Sequence, residues 1–322
     1  MLAAWYDEQG PSTVLQVGEL PDPLPGPGEV RVRLTRSGIN PGDTKKRRAT
    51  FGLPMPYPRI VPHSDGAGVI DRVGSAEEER RIGERVWVYG AQSYRPFGTA
   101  AQYTVLPSQL AVPTPEGLSD DLAACLGIPG ITAHRAVFAD GPVAGRTVLV
   151  HGVRGAVSSL AAQLAGWNGA TVIGTVRSAP DGGDLDERTV ALDQDPVGRI
   201  RALAPDGVDR IIEVAFGANI DLDAAVGRNG TTIAAFASPT DRPDLPFWPL
   251  LFNNTVIRLL GSDDFPEAAK QQAATDLSTA AGTGALDVPI ADVLALDRIA
   301  EAHDLVDSGR AHGRVLLAPP AP

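Results

Sequence analysis

Cysteine is nearly missing from this sequence. Cys125 stands alone among 322 residues, which excludes an internal disulfide and any multi-cysteine metal site. Long apolar runs are missing too, and none approaches the ~20 residues needed to span a bilayer. The opening residues Met1-Leu2-Ala3-Ala4-Trp5-Tyr6-Asp7 lack the charged and apolar regions of a signal peptide. A cytoplasmic protein without a membrane partner is therefore expected. Positive charge is short: 28 Lys and Arg face 39 Asp and Glu, for a net charge of −11. That argues against nucleic acid or an anionic membrane as the main partner. There is no internal repeat and no long low-complexity tract.

What remains has the composition of an ordinary soluble protein with room for two domains. Residues 1–118 carry short alternating runs such as Val30-Arg31-Val32-Arg33-Leu34 and Arg85-Val86-Trp87-Val88-Tyr89, separated by proline and glycine turns. They read as a β-rich, barrel-like domain. From 119 to 265 strand and helix patterns alternate. Strand candidates are 147–151, 171–175, 190–193, 208–215, 231–236 and 256–261, with helices at 156–168, 196–204 and 219–227. Such alternation predicts an α/β domain with a doubly wound parallel sheet. Residues 266–322, with a helix at 266–281 and a strand at 314–317, cannot bury their own faces and are expected to return to the first domain.

The chain is organised around Thr147-Val148-Leu149-Val150-His151-Gly152-Val153-Arg154-Gly155-Ala156-Val157-Ser158. An apolar strand, a turn with glycines at 152 and 155, and a helix with Val157, Leu160, Ala161 and Leu164 on one face follow one another. A helix N-terminus offers free N–H groups and a positive dipole end, which suits the pyrophosphate of a dinucleotide. The turn reads G-x-x-G-x-x-S rather than G-x-G-x-x-G, with Ser158 where the helix should pack on the strand. The second strand ends in Thr175-Val176-Arg177-Ser178 and offers no carboxylate for ribose hydroxyls, whereas Arg177 and Ser178 can engage a 2′-phosphate. NADPH is expected over NADH, although Asp181 and Asp184 follow in a tract, 180–184, that interrupts the usual helix.

Several stretches together resemble the medium-chain dehydrogenase/reductase family, in its zinc-free, zeta-crystallin-like quinone oxidoreductase branch. They include Pro27-Gly28-Glu29-Val30, Gly38-Ile39-Asn40-Pro41-Gly42-Asp43, Pro62-His63-Ser64-Asp65-Gly66-Ala67-Gly68, Gly127-Ile128-Pro129-Gly130-Ile131-Thr132, Val148-Leu149-Val150-His151-Gly152 and Gly313-Arg314-Val315-Leu316-Leu317. The resemblance implies a GroES-like catalytic domain (1–118 and 266–322) and a Rossmann domain (119–265), with the active site in the cleft between them. It implies NADPH-dependent reduction of quinones or other α,β-unsaturated carbonyls, and a homodimer or tetramer. Within that family's phosphate turn, Gly152, Gly155 and Val157 are kept, while Arg154, Ala156 and Ser158 depart from it.

The resemblance further implies that Asn40 orients a carboxamide or substrate oxygen. Asp43 lies beside the substrate or caps a helix. Phe51 lines the substrate cleft where relatives carry tyrosine, and Thr132 lies near the nicotinamide. Phe236 and Ala237, with Ser238, are expected to pass along the cofactor, and Ser262 and Asp263 to lie near its nicotinamide end. Ser37 and Ser64 stand where zinc-dependent relatives carry a cysteine and a histidine, so no metal is expected. Without a Lewis acid, a conjugated carbonyl that spreads the incoming charge is the easier substrate. His63 and the run Lys45-Lys46-Arg47-Arg48 read as polar surface, His151 as structural, and Phe247, Trp248 and Phe252 as cover for a sheet edge or a subunit contact. The rival readings are an enoyl reductase or secondary-metabolite tailoring enzyme of the same fold, and a non-catalytic nucleotide-binding or regulatory protein.

Overall fold

The computed structural model describes residues 1–179 and 185–321, so Asp181, Asp184 and the rest of the tract 180–184 lie outside the described residues. In chain order the first half holds β1 (Leu2–Trp5), β2 (Gln16–Glu19), β3 (Glu29–Gly38), α1 (Pro41–Arg47), β4 (Asp65–Val73), β5 (Arg85–Val88), β6 (Tyr103–Pro107), β7 (Ala111–Pro113), α2 (Asp120–Ala123) and α3 (Ile131–Phe138). There follow β8 (Thr147–Val150), α4 (Ala156–Trp167), β9 (Thr171–Val176), β10 (Thr189–Ala191), α5 (Pro196–Leu203), β11 (Val208–Glu213), α6 (Phe216–Val226), β12 (Gly227–Ala235), α7 (Phe247–Phe252) and β13 (Val256–Leu259). The chain closes with α8 (Glu267–Gly282), β14 (Ile290–Ala295), α9 (Ile299–Asp307) and β15 (Arg314–Ala318).

The chain forms two compact units. One comprises Met1–Ile131, Lys270–Gly282 and Asp287–Pro322, and the other Thr132–Ala269 and Thr283–Leu286. The first unit is built on a seven-stranded sheet in the order β14-β15-β3-β4-β5-β7, with β6 also paired to β3. Its core strands alternate as half-buried strands do: Val30, Val32 and Leu34 pack with Ile70, Val86, Val88 and Leu106. The last strand closes this sheet, with Leu316 opposite Gly38 and Leu317 opposite Ser37.

The second unit holds a six-stranded parallel sheet in the order β10-β9-β8-β11-β12-β13. That order reverses at β8, the pattern of a doubly wound dinucleotide fold. Leu149, Ile173, Ile211 and Ile233 are fully buried, as the continuous apolar runs of its central strands require. Two elements differ from the sequence reading. The helix expected at 219–227 starts earlier, at Phe216, just past the point where the Glu213 carboxylate takes the Ala215 N–H. The strand expected at 231–236 begins at Gly227, because Gly227-Arg228-Asn229-Gly230 carries no apolar alternation to signal it.

The aromatic residues of α7 do not serve as a cover within the chain. Phe247, Trp248 and Phe252 are 61%, 63% and 70% exposed. They are joined by exposed Val256 and Leu259 on β13, the outer strand of the parallel sheet.

Candidate functional site

In the second unit, β8 runs into a turn and then into α4. Gly152 has φ +60°, a conformation open to glycine at little cost. Its N–H donates to Thr175 Oγ1 at 3.3 Å, and the Gly155 N–H donates to the Gly152 carbonyl at 2.8 Å. Gly155 is the N-cap of α4, no side chain caps it, and the first turn holds no acidic residue. The N–H groups of Ala156, Val157 and Ser158 therefore have no intrahelical acceptor. Ser158 is buried, and its Oγ has no hydrogen-bond partner. Arg154 is exposed at the crown of the turn. The six turn residues expected to hold the cofactor thus lie in one place. Arg177 and Ser178 stand exposed immediately beyond β9.

Phe236, Ala237 and Ser238 line a concavity of about 350 Å³ with Leu259, Leu260 and Gly261, at the carboxyl ends of β12 and β13. Ser262 and Asp263 sit in the short 3₁₀ turn that follows β13. Beneath the phosphate turn, His151, read as structural, meets two buried carboxylates that sequence reading passed over. His151 Nε2 is 2.9 Å from Asp223 Oδ1 and 3.7 Å from Glu213 Oε2, and all three side chains are fully buried. Burial lowers the affinity of His151 for a proton, but its hydrogen bond to Asp223 and the two carboxylate charges outweigh it, so its pKa lies above the usual value. Burial pushes the Glu213 carboxyl up. These three offer one nitrogen and two carboxylates within 4.8 Å.

In the first unit, Asp43 is a helix cap: its Oδ2 accepts the Asn40 N–H at 2.7 Å, closing a capping box at α1. Asn40 is buried and its amide works at both ends. Nδ2 donates to Asp65 Oδ2 at 2.7 Å, and Oδ1 accepts from Arg314 Nη1 at 2.9 Å. The capping box also brings the Asp43 N–H to the Asn40 side-chain oxygen, so both lone pairs are used and one Nδ2–H remains for a ligand. Asp65 Oδ1 also accepts the Ile128 N–H at 2.7 Å. Burial drives the Asp65 pKa up to about 7 against the opposing pull of Arg314, Asn40 and the Ile128 N–H. Thr132, the first residue of the second unit, is buried at the start of α3. Phe51 is 54% exposed in the turn after α1.

His63 is not polar surface. It is fully buried, with φ +75°, and its Nε2 meets His303 Nε2 at 2.8 Å. Nor is the basic run a solvated face throughout, because Arg47 is fully buried and reaches Gly10 O, His303 and Asp307. Arginine has no acceptor, and this fixes every proton in the chain of contacts that follows. Arg47 Nε–H donates to His303 Nδ1 at 3.2 Å. His303 Nε2–H then donates to His63 Nε2, and His63 Nδ1–H to Ser37 Oγ at 2.9 Å. The Ser37 hydroxyl donates to Thr99 Oγ1 at 2.8 Å, and Thr99 to the Asp65 carbonyl at 2.6 Å. Both histidines are neutral in this scheme. Burial, with nearby cationic charge, holds His63 well below the usual range and His303 at about 3.

Comparison with known proteins agrees with this architecture. Residues 26–116 match the alcohol dehydrogenase GroES-like domain family, and residues 186–317 match the zinc-binding dehydrogenase family. A quinone oxidoreductase of Homo sapiens is 27% identical over 330 residues, covering 97% of this chain and 95% of that protein. A quinone oxidoreductase of Rattus norvegicus is 28% identical over 323 residues, with the same shares. Among solved structures, an NAD-dependent alcohol dehydrogenase is 27% identical with a TM-score of 0.86, covering 99% of each chain. A mycobacterial protein complexed with NADPH is 25% identical with a TM-score of 0.83, covering 99% of this chain and 100% of that one.

Proposed function

The chain belongs to the zeta-crystallin-like medium-chain dehydrogenase/reductase family and is an NAD(P)-dependent oxidoreductase; on that premise we propose that it is a zinc-independent, NADPH-dependent reductase of quinones or other α,β-unsaturated carbonyls. The observation that carries the cofactor half of this reading is the uncapped N-terminus of α4. Its free amides, the unpartnered Ser158 Oγ and the open backbone at Gly155, where an added Cβ would meet only the Gly152 carbonyl at 3.2 Å, fit a pyrophosphate. When bound, NADPH supplies the hydride.

The residues of the chain take the remaining tasks. Gly152, Arg154, Gly155, Ala156, Val157 and Ser158 hold the pyrophosphate. Arg177 and Ser178, exposed beyond β9, receive the 2′-phosphate and set the preference for NADPH. Phe236, Ala237, Ser262 and Asp263 flank the nicotinamide half. Asn40 uses its remaining N–H to orient a substrate oxygen, and Asp43 fixes the backbone that carries Asn40. Phe51 supplies an apolar wall, and Thr132 a hydroxyl. The donor set supports zinc independence. Ser37 and Ser64 offer neutral hydroxyls, and both nitrogens of His63 are engaged in a chain whose protons are already placed. A conjugated acceptor, whose charge spreads as it forms, suits such a site. The exposed aromatics of α7 beside the outer strand β13 support a homodimer.

The test is kcat/KM for a panel of quinones, 2-alkenals and enoyl thioesters with NADPH and with NADH. Turnover of quinones or alkenals with NADPH preferred is expected, and Arg177→Ala should lower that preference. Turnover of enoyl thioesters alone, or saturable binding without turnover, would overturn the proposal.

A further inference from the structure

We infer that His151 is a positioning residue for the phosphate turn, acting through the hydroxyl of Thr175 and anchored by Asp223. The inference rests on the proposed reading of that turn as the nucleotide site.

Thr175 meets the turn twice. Its carbonyl takes the Val153 N–H at 2.9 Å, and its hydroxyl takes the Gly152 N–H at 3.3 Å. The same hydroxyl lies 3.0 Å from His151 Nδ1, while His151 Nε2 lies 2.9 Å from the Asp223 carboxylate, which can only accept when ionised. The imidazole ring is thus clamped between β9 and α6. Its own backbone N–H donates to Ile212 O on β11, so His151 joins three elements at the base of the turn.

The consequence is a division of amides. The Gly152 N–H is turned inward to Thr175, and the Gly155 N–H is used by Gly152 itself. The amides of Ala156, Val157 and Ser158, in the first turn of α4, are left without an intrahelical acceptor. Without the Thr175 hydroxyl at its place, nothing on the inner side would accept the Gly152 N–H, and the glycine would be free to rotate that amide toward the ligand. Glu213 completes the setting: one of its oxygens is held by the Ala215 N–H and by Asn219 Nδ2, and the other faces the imidazole.

Two substitutions separate the two ends of the ring. In His151→Asn the amide reaches the place of Nδ1 and can still meet Thr175, but leaves Asp223 unpaired. In His151→Gln it reaches the place of Nε2, meeting Asp223 and losing Thr175. His151→Gln and Thr175→Val are expected to raise the Kd and KM for NADPH roughly 5- to 10-fold, with kcat little changed, and Thr175→Ser is expected to restore wild-type values. His151→Asn is expected to hold the Kd within about twofold while lowering the Tm. A Kd for His151→Asn as poor as that for His151→Gln, or wild-type binding by Thr175→Val, overturns the inference. Hydrogen exchange at the Gly152 amide, measured without nucleotide, keeps this separate from the cofactor reading. Faster exchange in Thr175→Val and His151→Gln, but not in His151→Asn, supports the relay even if the wild type binds neither NADPH nor NADH, and equal exchange in all four refutes it.

Discussion

Gly127 is a position where a single methyl group should strike directly at the buried carboxyl of Asp65. An added Cβ would lie 2.1 Å from Asp65 Oδ1 and 2.5 Å from its Cγ, so the carboxyl group would have to move by more than about 1 Å to reach ordinary van der Waals contact. It is not free to do so. Asp65 is fully buried and accepts from Asn40 Nδ2 and the Ile128 N–H, both at 2.7 Å. Each hydrogen bond to a charged group is worth about 1.5–3 kcal/mol, so losing both should cost roughly 3–6 kcal/mol. At ~2–4 °C per kcal/mol, Gly127→Ala should lower the Tm by about 6–24 °C. Urea unfolding at pH 8, where the carboxyl is mostly ionised, measures the free energy directly. The origin of the loss is tested by a double-mutant cycle with Asp65→Ala, which removes the obstructing carboxyl. Gly127→Ala should then cost far less than in the wild-type background. Additive costs, or a Tm shift under about 2 °C for the single variant, would refute the reasoning.

Three further outcomes follow from the same geometry. His303 has a folded pKa depressed from 6.5 to about 3, so it contributes stability that is present above pH 6.5 and is lost as the pH falls toward 3. The stability gap between wild type and His303→Gln should close by about 1.4 kcal/mol per pH unit between about pH 6 and 4. Asp65 acts in the opposite sense, losing stability as the pH rises through about 7, but is common to both proteins, and parallel pH profiles would count against a neutral buried His303. Ser158→Ala removes an unpartnered buried hydroxyl and should leave stability within ~0.5 kcal/mol while raising the Kd for NADPH roughly 3- to 10-fold; an unchanged Kd, read by fluorescence titration, would show that the hydroxyl does not meet the ligand. Trp248→Ser with Phe252→Ser should convert a dimer to a monomer in analytical ultracentrifugation, and a sedimentation coefficient identical to wild type would reject α7 as the subunit contact.

The strand, turn and helix around Gly152 were legible in the sequence because their signal is local: an apolar β-branched run, two glycines and a helical apolar stripe within a dozen neighbouring residues. The alternation that gives the parallel sheet is local in the same way. The polar interior was not. His63 and His303 are 240 positions apart, Arg314 and Asn40 are 274, and His151 and Asp223 are 72. Each of these residues, taken by itself, has the look of surface polarity or of loop chemistry. Nothing in their own neighbourhoods says that β15 will lie against β3 or that α6 will pass beneath the turn. Arg47 shows the limit most plainly, since three basic neighbours make a solvated face the natural reading, while α1 points that one side chain inward. Asp43 was ambiguous for another reason: a carboxylate three residues after Asn40 fits a cap and a substrate contact equally well until its hydrogen bonds are seen.

The closing of the β3 sheet by β15 bears on how the protein is made. Gly38 and Ser37 find their partners in Leu316 and Leu317, and Asn40 finds Arg314. At ordinary rates of synthesis, tens of seconds separate the emergence of these two stretches from the ribosome. The unit that begins the chain is therefore the one that must wait. Residues 132–269 can complete their parallel sheet while the Ser37–Gly38 end of β3 still lacks its partner strand, and an unpaired edge invites pairing with other chains. The exposure is confined by β6, which pairs with Glu29 to Arg33 as soon as residues 103–107 have emerged, so only the Ser37 end of the strand stays open until the last residues arrive.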